Sequence, residues 1–251
     1  KAGAPYEAEQ ILQVILQASA NGDHITRARL SLCKALIDQS KAVAAMPVLQ
    51  SLCLEQDLSP RDAAEISQLQ ATGLYLLNRE AGELQCEAAD KALAAARAAG
   101  YLDLLGKALF LSAQSGAEVG SEKRVRSALK EHEQLLSTPA GRKDGFVHYA
   151  VAYCNFFFGD LQNASSYLEN SARLLDGSTD FMTLSSAYNG YGLCKQFMCE
   201  FHQAQRAYET ALKLARRMGN DARASVTAGN LCGLHSIKGR FDEAIQFGRL
   251  S

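Results

Sequence analysis

Between residues 201 and 215, Phe201, Ala204, Tyr208, Ala211, Leu212 and Ala215 return at intervals of three and four, with Gln203, Gln205, Arg206, Glu209 and Lys213 between them. At ~1.5 Å rise per residue this is one apolar stripe on a helix about 23 Å long, with a polar face turned to water. The stripe recurs. Placing "FGDLQNASSYL" (158–168) over "MCEFHQAQRAY" (198–208) and "KGRFDEAIQFG" (238–248) aligns Leu161, Phe201 and Phe241, and also Ala164, Ala204 and Ala244, at a period of 40 residues. Earlier, "AGELQCEAADKAL" (81–93) has a glycine–acid–leucine start that sets Leu84 against Leu161 two periods later. The intervening "SGAEVGSEKRVRSALKEHEQLL" fits by spacing.

The pattern predicts helices near 6–20, 25–38, 41–55, 61–79, 83–98, 102–116, 121–137, 143–157, 161–176, 180–197, 201–218, 221–237 and from 241 onward. Local chemistry sets the ends. Ser59 before Pro60 reads as an N-cap followed by proline at the first helical position, and Gly100 and Gly219-Asn220 read as stops. Pro47 either kinks the third helix or delays its start. Ala164, Ala204 and Ala244 fall where paired helices come close, and Leu161, Phe201 and Phe241 are expected to fill the wedge between pairs. No pair can bury both its faces, so the pairs must stack.

Composition changes little in this all-helical picture. Hydrophobic residues make up 47% and charged residues 21%, and the formal net charge is -1, so no global field recommends nucleic acid or an anionic membrane as partner. No run reaches the ~18 apolar residues of a membrane span. The 7 cysteines lack a CxxC pair and read as reduced core thiols of a cytoplasmic protein. The expected organisation is a single helical repeat domain over 1–251, about six pairs, with divergent helices in 1–60. The final helix stops early and carries Ile245, Phe247 and Leu250 on an open apolar end, so the expectation is a piece of a longer protein, able to self-associate through that end.

In this pattern the chain resembles the tetratricopeptide repeat family. The family's positions fall on Ala228, Leu231, Cys232, His235, Gly239, Phe241 and Ala244 in the last unit, and on Tyr188, Tyr191, Gly192, Lys195, Cys199, Phe201, Ala204, Tyr208 and Ala211 in the unit before. The long period is similar to that of the maltose-activator (MalT) and LuxR-type signalling ATPases and of kinesin-light-chain adaptors, and the likeness covers 61–251 better than 1–60. The resemblance implies a right-handed superhelical solenoid of stacked antiparallel helix pairs, whose first helices line a concave groove. It implies no chemistry, cofactor or metal. It does imply a binding module in signalling or transcription regulation, with a protein, peptide or small-molecule effector as partner, or else a pure protein–protein adaptor.

Catalytic patterns are missing. Gly106-Lys107 lacks the first glycine and the hydroxyl of a phosphate loop, with Tyr101 and Ala108 in their places. The five histidines form no HExxH, and "EHE" at 131–133 reads as a solvated face. Asp242 and Glu243, adjacent on a helix, point ~100° apart and suit a helix start. Lys123, Arg124, Arg126 and Lys130, like Arg206, Lys213, Arg216 and Arg217, read as solvated convex surface. One stretch is unusual. In "GFVHYAVAYCNFFFGD", Phe146, Tyr149, Tyr153 and Phe156 recur at +3, +4 and +3 while Val147, Val151 and Cys154 occupy the other side. Such a helix is either buried between neighbouring pairs or directs its aromatics into the groove. In the second case Ser186, Asn189, Leu193 and Gln196 of the next unit join them, followed by Val226 and Ser236, as a ligand site.

Overall fold

The computed structural model describes residues 9–13, 23–55, 57–77 and 82–251. These contain α-helices and a single 3-10 turn, Gly141–Lys143, with no strand among the described residues. In chain order the helices are α1 (Asp23–Asp38), α2 (Ala42–Leu52), α3 (Pro60–Leu77), α4 (Gly82–Ala99), α5 (Leu102–Glu118), α6 (Glu122–Ser137), α7 (Gly145–Phe157), α8 (Leu161–Leu175), α9 (Phe181–Phe197), α10 (Phe201–Met218), α11 (Asp221–Ile237) and α12 (Phe241–Gly248). Residues 9–13 are helical too, and the rest of the helix expected over 6–20 lies outside the described residues. The chain divides into two compact units, 1–135 and 136–251.

Within each unit consecutive helices pack together, and alternate helices also touch: α1 with α3 and α3 with α5 in the first unit, α7 with α9 and α9 with α11 in the second. First helices therefore lie side by side, as stacked pairs require. The second helices begin at Ala42, Gly82, Glu122, Leu161, Phe201 and Phe241, so the forty-residue period runs through α1 and α2 as well. Three residues past each start, Ala45, Gln85, Val125, Ala164, Ala204 and Ala244 are all buried. The period survives in the divergent segment because close helix approach constrains one buried position per pair, whereas the signature residues around it are free to change.

This register corrects the alignment of Leu84 with Leu161. Gly82 begins α4 as Leu161 begins α8, while Leu84 is 50% exposed and Gln85 takes the buried site. Phe201 and Leu161 are half-buried, but Phe241 is 67% exposed and fills no wedge among the described residues. Phe247 also departs from expectation: its ring stacks on His235 at 5.4 Å, leaving Ile245 and Leu250 on the exposed side.

Caps explain the helix starts. The Ser59 hydroxyl accepts from Asp62 N at 3.1 Å ahead of α3, and Asp144, Asp160, Asp180 and Asn220 accept first-turn N–H groups of α7, α8, α9 and α11. Helix α2 runs through Pro47 and ends at Leu52.

The first-to-second helix turns repeat one backbone feature. Gly159 (φ 79), Cys199 (φ 61) and Gly239 (φ 68) occupy the same left-handed position, forty residues apart. Two of the three are glycine, which adopts this conformation without strain, whereas an L residue there costs ~1–2 kcal/mol. Cys199→Gly is expected to stabilise the second unit by about 0.5–1 kcal/mol after the entropy of glycine in the unfolded chain is subtracted. A urea midpoint that stays put or falls would contradict this.

Polar cross-links recur at a fixed register too. The Ser171 hydroxyl of α8 donates to the Gly145 carbonyl of α7 at 2.7 Å, and the Ser185 hydroxyl of α9 donates to the Ala211 carbonyl of α10 at 3.1 Å. One period earlier, in the first unit, His132 Nε2 lies 3.0 Å from the Gly106 carbonyl and donates to it. His132 is 0% exposed, so the reading of "EHE" as a solvated face is wrong at its centre: α6 turns this residue onto α5. Arg124 is corrected likewise, since it reaches Asp90 of α4 at 2.7 Å and is largely covered. The cysteines form no disulfide, with Cys33, Cys154 and Cys194 buried as expected, while Cys53 and Cys199 are exposed. Burial pushes the Cys33 and Cys194 thiols up to about 11, so neither is a ready nucleophile.

Candidate functional site

On one side of helix α7, Val147, Ala150, Val151 and Cys154 are buried. The opposite face carries the aromatics. Tyr149, Ala152, Tyr153 and Phe156 turn towards α9 and, with Leu168 of α8, Ser186, Asn189, Gly190 and Leu193 of α9, and Arg223 of α11, line a half-open cavity of about 200 Å³. Six of the eight residues singled out in the sequence thus meet at one place: Tyr149, Tyr153, Phe156, Ser186, Asn189 and Leu193. The repeat geometry explains this, because forty residues separate Tyr149 from Asn189 and Tyr153 from Leu193, which puts each pair at the same height on adjacent first helices.

The other two stand apart. Phe146 lies one turn outside, its ring 6.1 Å from that of Tyr149. Gln196 turns away from the cavity, and its Oε1 accepts the Tyr208 hydroxyl at 2.9 Å. Phe197, the next residue, takes the wall position, packing 6.1 Å from Phe156 while 62% exposed. Val226 is exposed and Ser236 is exposed, and neither lines the cavity. Arg223 does, one turn before Val226. Periodicity missed it because repeat spacing places Cα atoms, whereas a long cationic side chain carries its head group a turn away from its own register.

The polar groups of the cavity are held in fixed roles. The Ser186 hydroxyl donates to the Met182 carbonyl at 2.8 Å and is left to accept from the Tyr149 hydroxyl. Burial pushes the Tyr149 phenol up, with the Arg223 guanidinium and the Ser186 bond pulling against it, so the phenol is neutral at physiological pH. Asn230 of α11 donates through Nδ2 to Asn189 Oδ1 at 2.9 Å, which leaves the Asn189 NH2 group as a donor to anything entering the cavity. The Asn220 side chain caps the Arg223 N–H at 2.9 Å and fixes the first turn of α11.

The site is therefore an aromatic and aliphatic hollow with three hydroxyls, of Tyr149, Tyr153 and Ser186, one oriented amide and one cation. Among the described residues no group of three or more His, Cys, Asp or Glu is placed to hold a metal ion. No described helix is long and apolar enough to cross a membrane.

No protein-family model matches the sequence, and no curated protein matches it. Solved structures do. A chain of the APC/C hetero-tetramer Cut9–Hcn1 superposes over 100% of this chain with a TM-score of 0.69 at 16% identity, and the match spans 44% of that chain. NprR in complex with its cognate peptide NprX gives 0.57 at 16% identity, covering 95% of this chain and 69% of that one. A signal transduction ATPase (STAND) protein with a tetratricopeptide repeat sensor, from Pyrococcus horikoshii, gives 0.50 at 14% identity over 98% of this chain and 41% of that one. The fold is of the tetratricopeptide type. At these identities the likeness is one of architecture, carried by stacked helix pairs and their buried small residues.

Proposed function

We propose that this chain is a non-catalytic protein-interaction module that holds an extended peptide along α7, α9 and α11. The observation that supports the reading is the cavity itself. Its volume of about 200 Å³ exceeds a benzene-sized void of ~150 Å³ but falls short of the ~300–1,000 Å³ typical of drug-sized ligands, so it suits one bulky side chain of a longer ligand. Tyr153, Phe156 and Leu193 would take that side chain, and the Asn189 amide would donate to a backbone carbonyl beside it. NprR, which shares the architecture, is solved with a cognate peptide, which favours the peptide over the small-molecule effector for this fold. A place in signalling or transcription regulation is the context that the long repeat suggests.

The test uses peptides selected from a random library on the wild-type chain. Tyr153→Ala with Asn189→Ala should weaken them at least about thirtyfold, as loss of a buried aromatic anchor does, without a shift in the melting transition. Unchanged affinity would remove the groove from the mechanism. The exposed Ile245 and Leu250 support a second contact, self-association through α12; a sedimentation mass that does not rise with concentration would dismiss it.

A further inference from the structure

The spacing of the aromatic wall narrows the ligand class, and this rests on the groove reading above: we propose that the peptide is a proline-rich segment in the polyproline II conformation, with apolar side chains at two positions three residues apart. Helix α7 offers a place for each. Tyr153 and Phe156, one turn apart beside Leu193, line the hollow, and Phe146 and Tyr149 form a second ring pair with centroids 6.1 Å apart. All four residues are half-buried. The two pairs are seven residues apart on one helix, which is ~10.5 Å at ~1.5 Å per residue. A polyproline II ligand returns to the same face every three residues, ~9.3 Å, and so reaches both. A strand-like ligand returns after two residues, ~6.6 Å, or after four, ~13 Å, and falls short of the second pair or overshoots it.

The hydrogen-bond supply of the hollow selects for the same ligand. The Ser186 hydroxyl is engaged both ways, with the Met182 carbonyl and the Tyr149 hydroxyl, and Asn189 Oδ1 already accepts from Asn230, whereas the Asn189 NH2 group is a donor. A segment that brings carbonyls and few N–H groups matches this supply, and proline has a carbonyl and no N–H. In polyproline II no carbonyl is bonded within the ligand, so one is available to Asn189. A helical ligand also places residues i and i+7 ~10.5 Å apart, but its carbonyls are spent on its own turns and leave the Asn189 amide unanswered. The half-open shape of the hollow agrees with this. It covers one face of a three-sided ligand and leaves the carbonyls of the other two faces in water. Because polyproline II is set before binding, less ordering entropy opposes the complex.

Three probes are titrated to about 10 mM on the whole chain, a range that reaches dissociation constants of ~1 mM and weaker, with the Gly190 backbone and Asn189 side-chain amide resonances as readout. Acetyl-Pro-Leu-Pro-Pro-Leu-Pro-amide places leucines three apart and reads the same in both directions. Acetyl-Ala-Leu-Ala-Ala-Leu-Ala-amide keeps the spacing and restores the N–H groups, and acetyl-Pro-Leu-Pro-Leu-Pro-Pro-amide keeps the prolines with leucines two apart. The first should bind about tenfold more tightly than either of the others, and Phe146→Ala should remove its advantage over the third. Equal binding of the proline and alanine peptides would overturn the polyproline II assignment, and a third peptide as tight as the first would overturn the two-place spacing. An advantage that persists in Phe146→Ala would overturn the second place at Phe146 and Tyr149. If none of the three moves Gly190 while library-selected peptides still depend on Tyr153 and Asn189, the proline-rich ligand is overturned and the groove reading stands; if that dependence is missing too, both fall.

Discussion

Tyr208→Ala is expected to lower the stability of the second unit by roughly 3–5 kcal/mol, the cost of emptying an aromatic site in a packed core. Tyr208 is 0% exposed and its ring lies against α9 at Gly192, where an added Cβ would sit 2.6 Å from Cδ1 and Cε1. That approach is open only to glycine. The ring cannot retreat, because its hydroxyl is tied to Gln196 at 2.9 Å and its other face packs among Ala204, Leu212, Leu231 and Leu234. Gly192→Ala alone should therefore cost up to about 2 kcal/mol, since overpacking of ~1–3 kcal/mol is offset in part by the ~1 kcal/mol that alanine gains in a helix. Placed on Tyr208→Ala, the same substitution should cost nothing further, because the atoms it strikes are gone. Urea denaturation of the four chains measures the coupling. Additive losses would show that Gly192 and Tyr208 do not share one close contact.

The second large effect concerns pH and belongs to the first unit. Burial lowers the pKa of His132, opposed by the Gly106 and Ala128 carbonyls and by Glu131, which is itself paired with Arg97 at 2.8 Å. The folded chain thus favours neutral imidazole more than the unfolded chain does. The sign follows: the stabilisation is complete above the unfolded value of ~6.5 and is lost as pH falls through 6.5 towards the folded pKa, at up to ~1.4 kcal/mol per pH unit. Amide exchange in α5 and α6 should accelerate from pH 7 to pH 5 beyond its intrinsic chemical rate dependence. His132→Gln, which keeps a donor for the Gly106 carbonyl without titrating, should flatten the trend. An equal pH dependence in both chains would assign the loss to other groups.

Much of this protein was legible from spacing. The forty-residue period, the cap at Ser59, the stop at Gly219, the small residues at Ala164, Ala204 and Ala244, and the aromatic face of α7 are local or periodic facts, and a stacked fold converts periodicity directly into neighbours. Tyr149 meets Asn189 for that reason. The register of α4 was misread because Leu84 imitates the signature leucine, while the selected site, three residues past the helix start, holds Gln85 and looks polar.

The sequence by itself determined the helical stack, the period and the face on which an aromatic wall forms, since these follow from side chains repeating at 3.6 and at forty residues. Tertiary structure alone decided which polar groups leave the solvent. His132 is a charged-looking residue between two glutamates, yet its register position is that of Ser171, whose task is to satisfy a carbonyl across the pair. Gln196 serves Tyr208 and not the groove, and Arg223 enters the cavity from a turn away. In each case the deciding quantity is a side chain's reach to one partner on another helix. Hydrogen bonds and charges act over a few ångströms between helices, and their partners become definite only when the helices have docked.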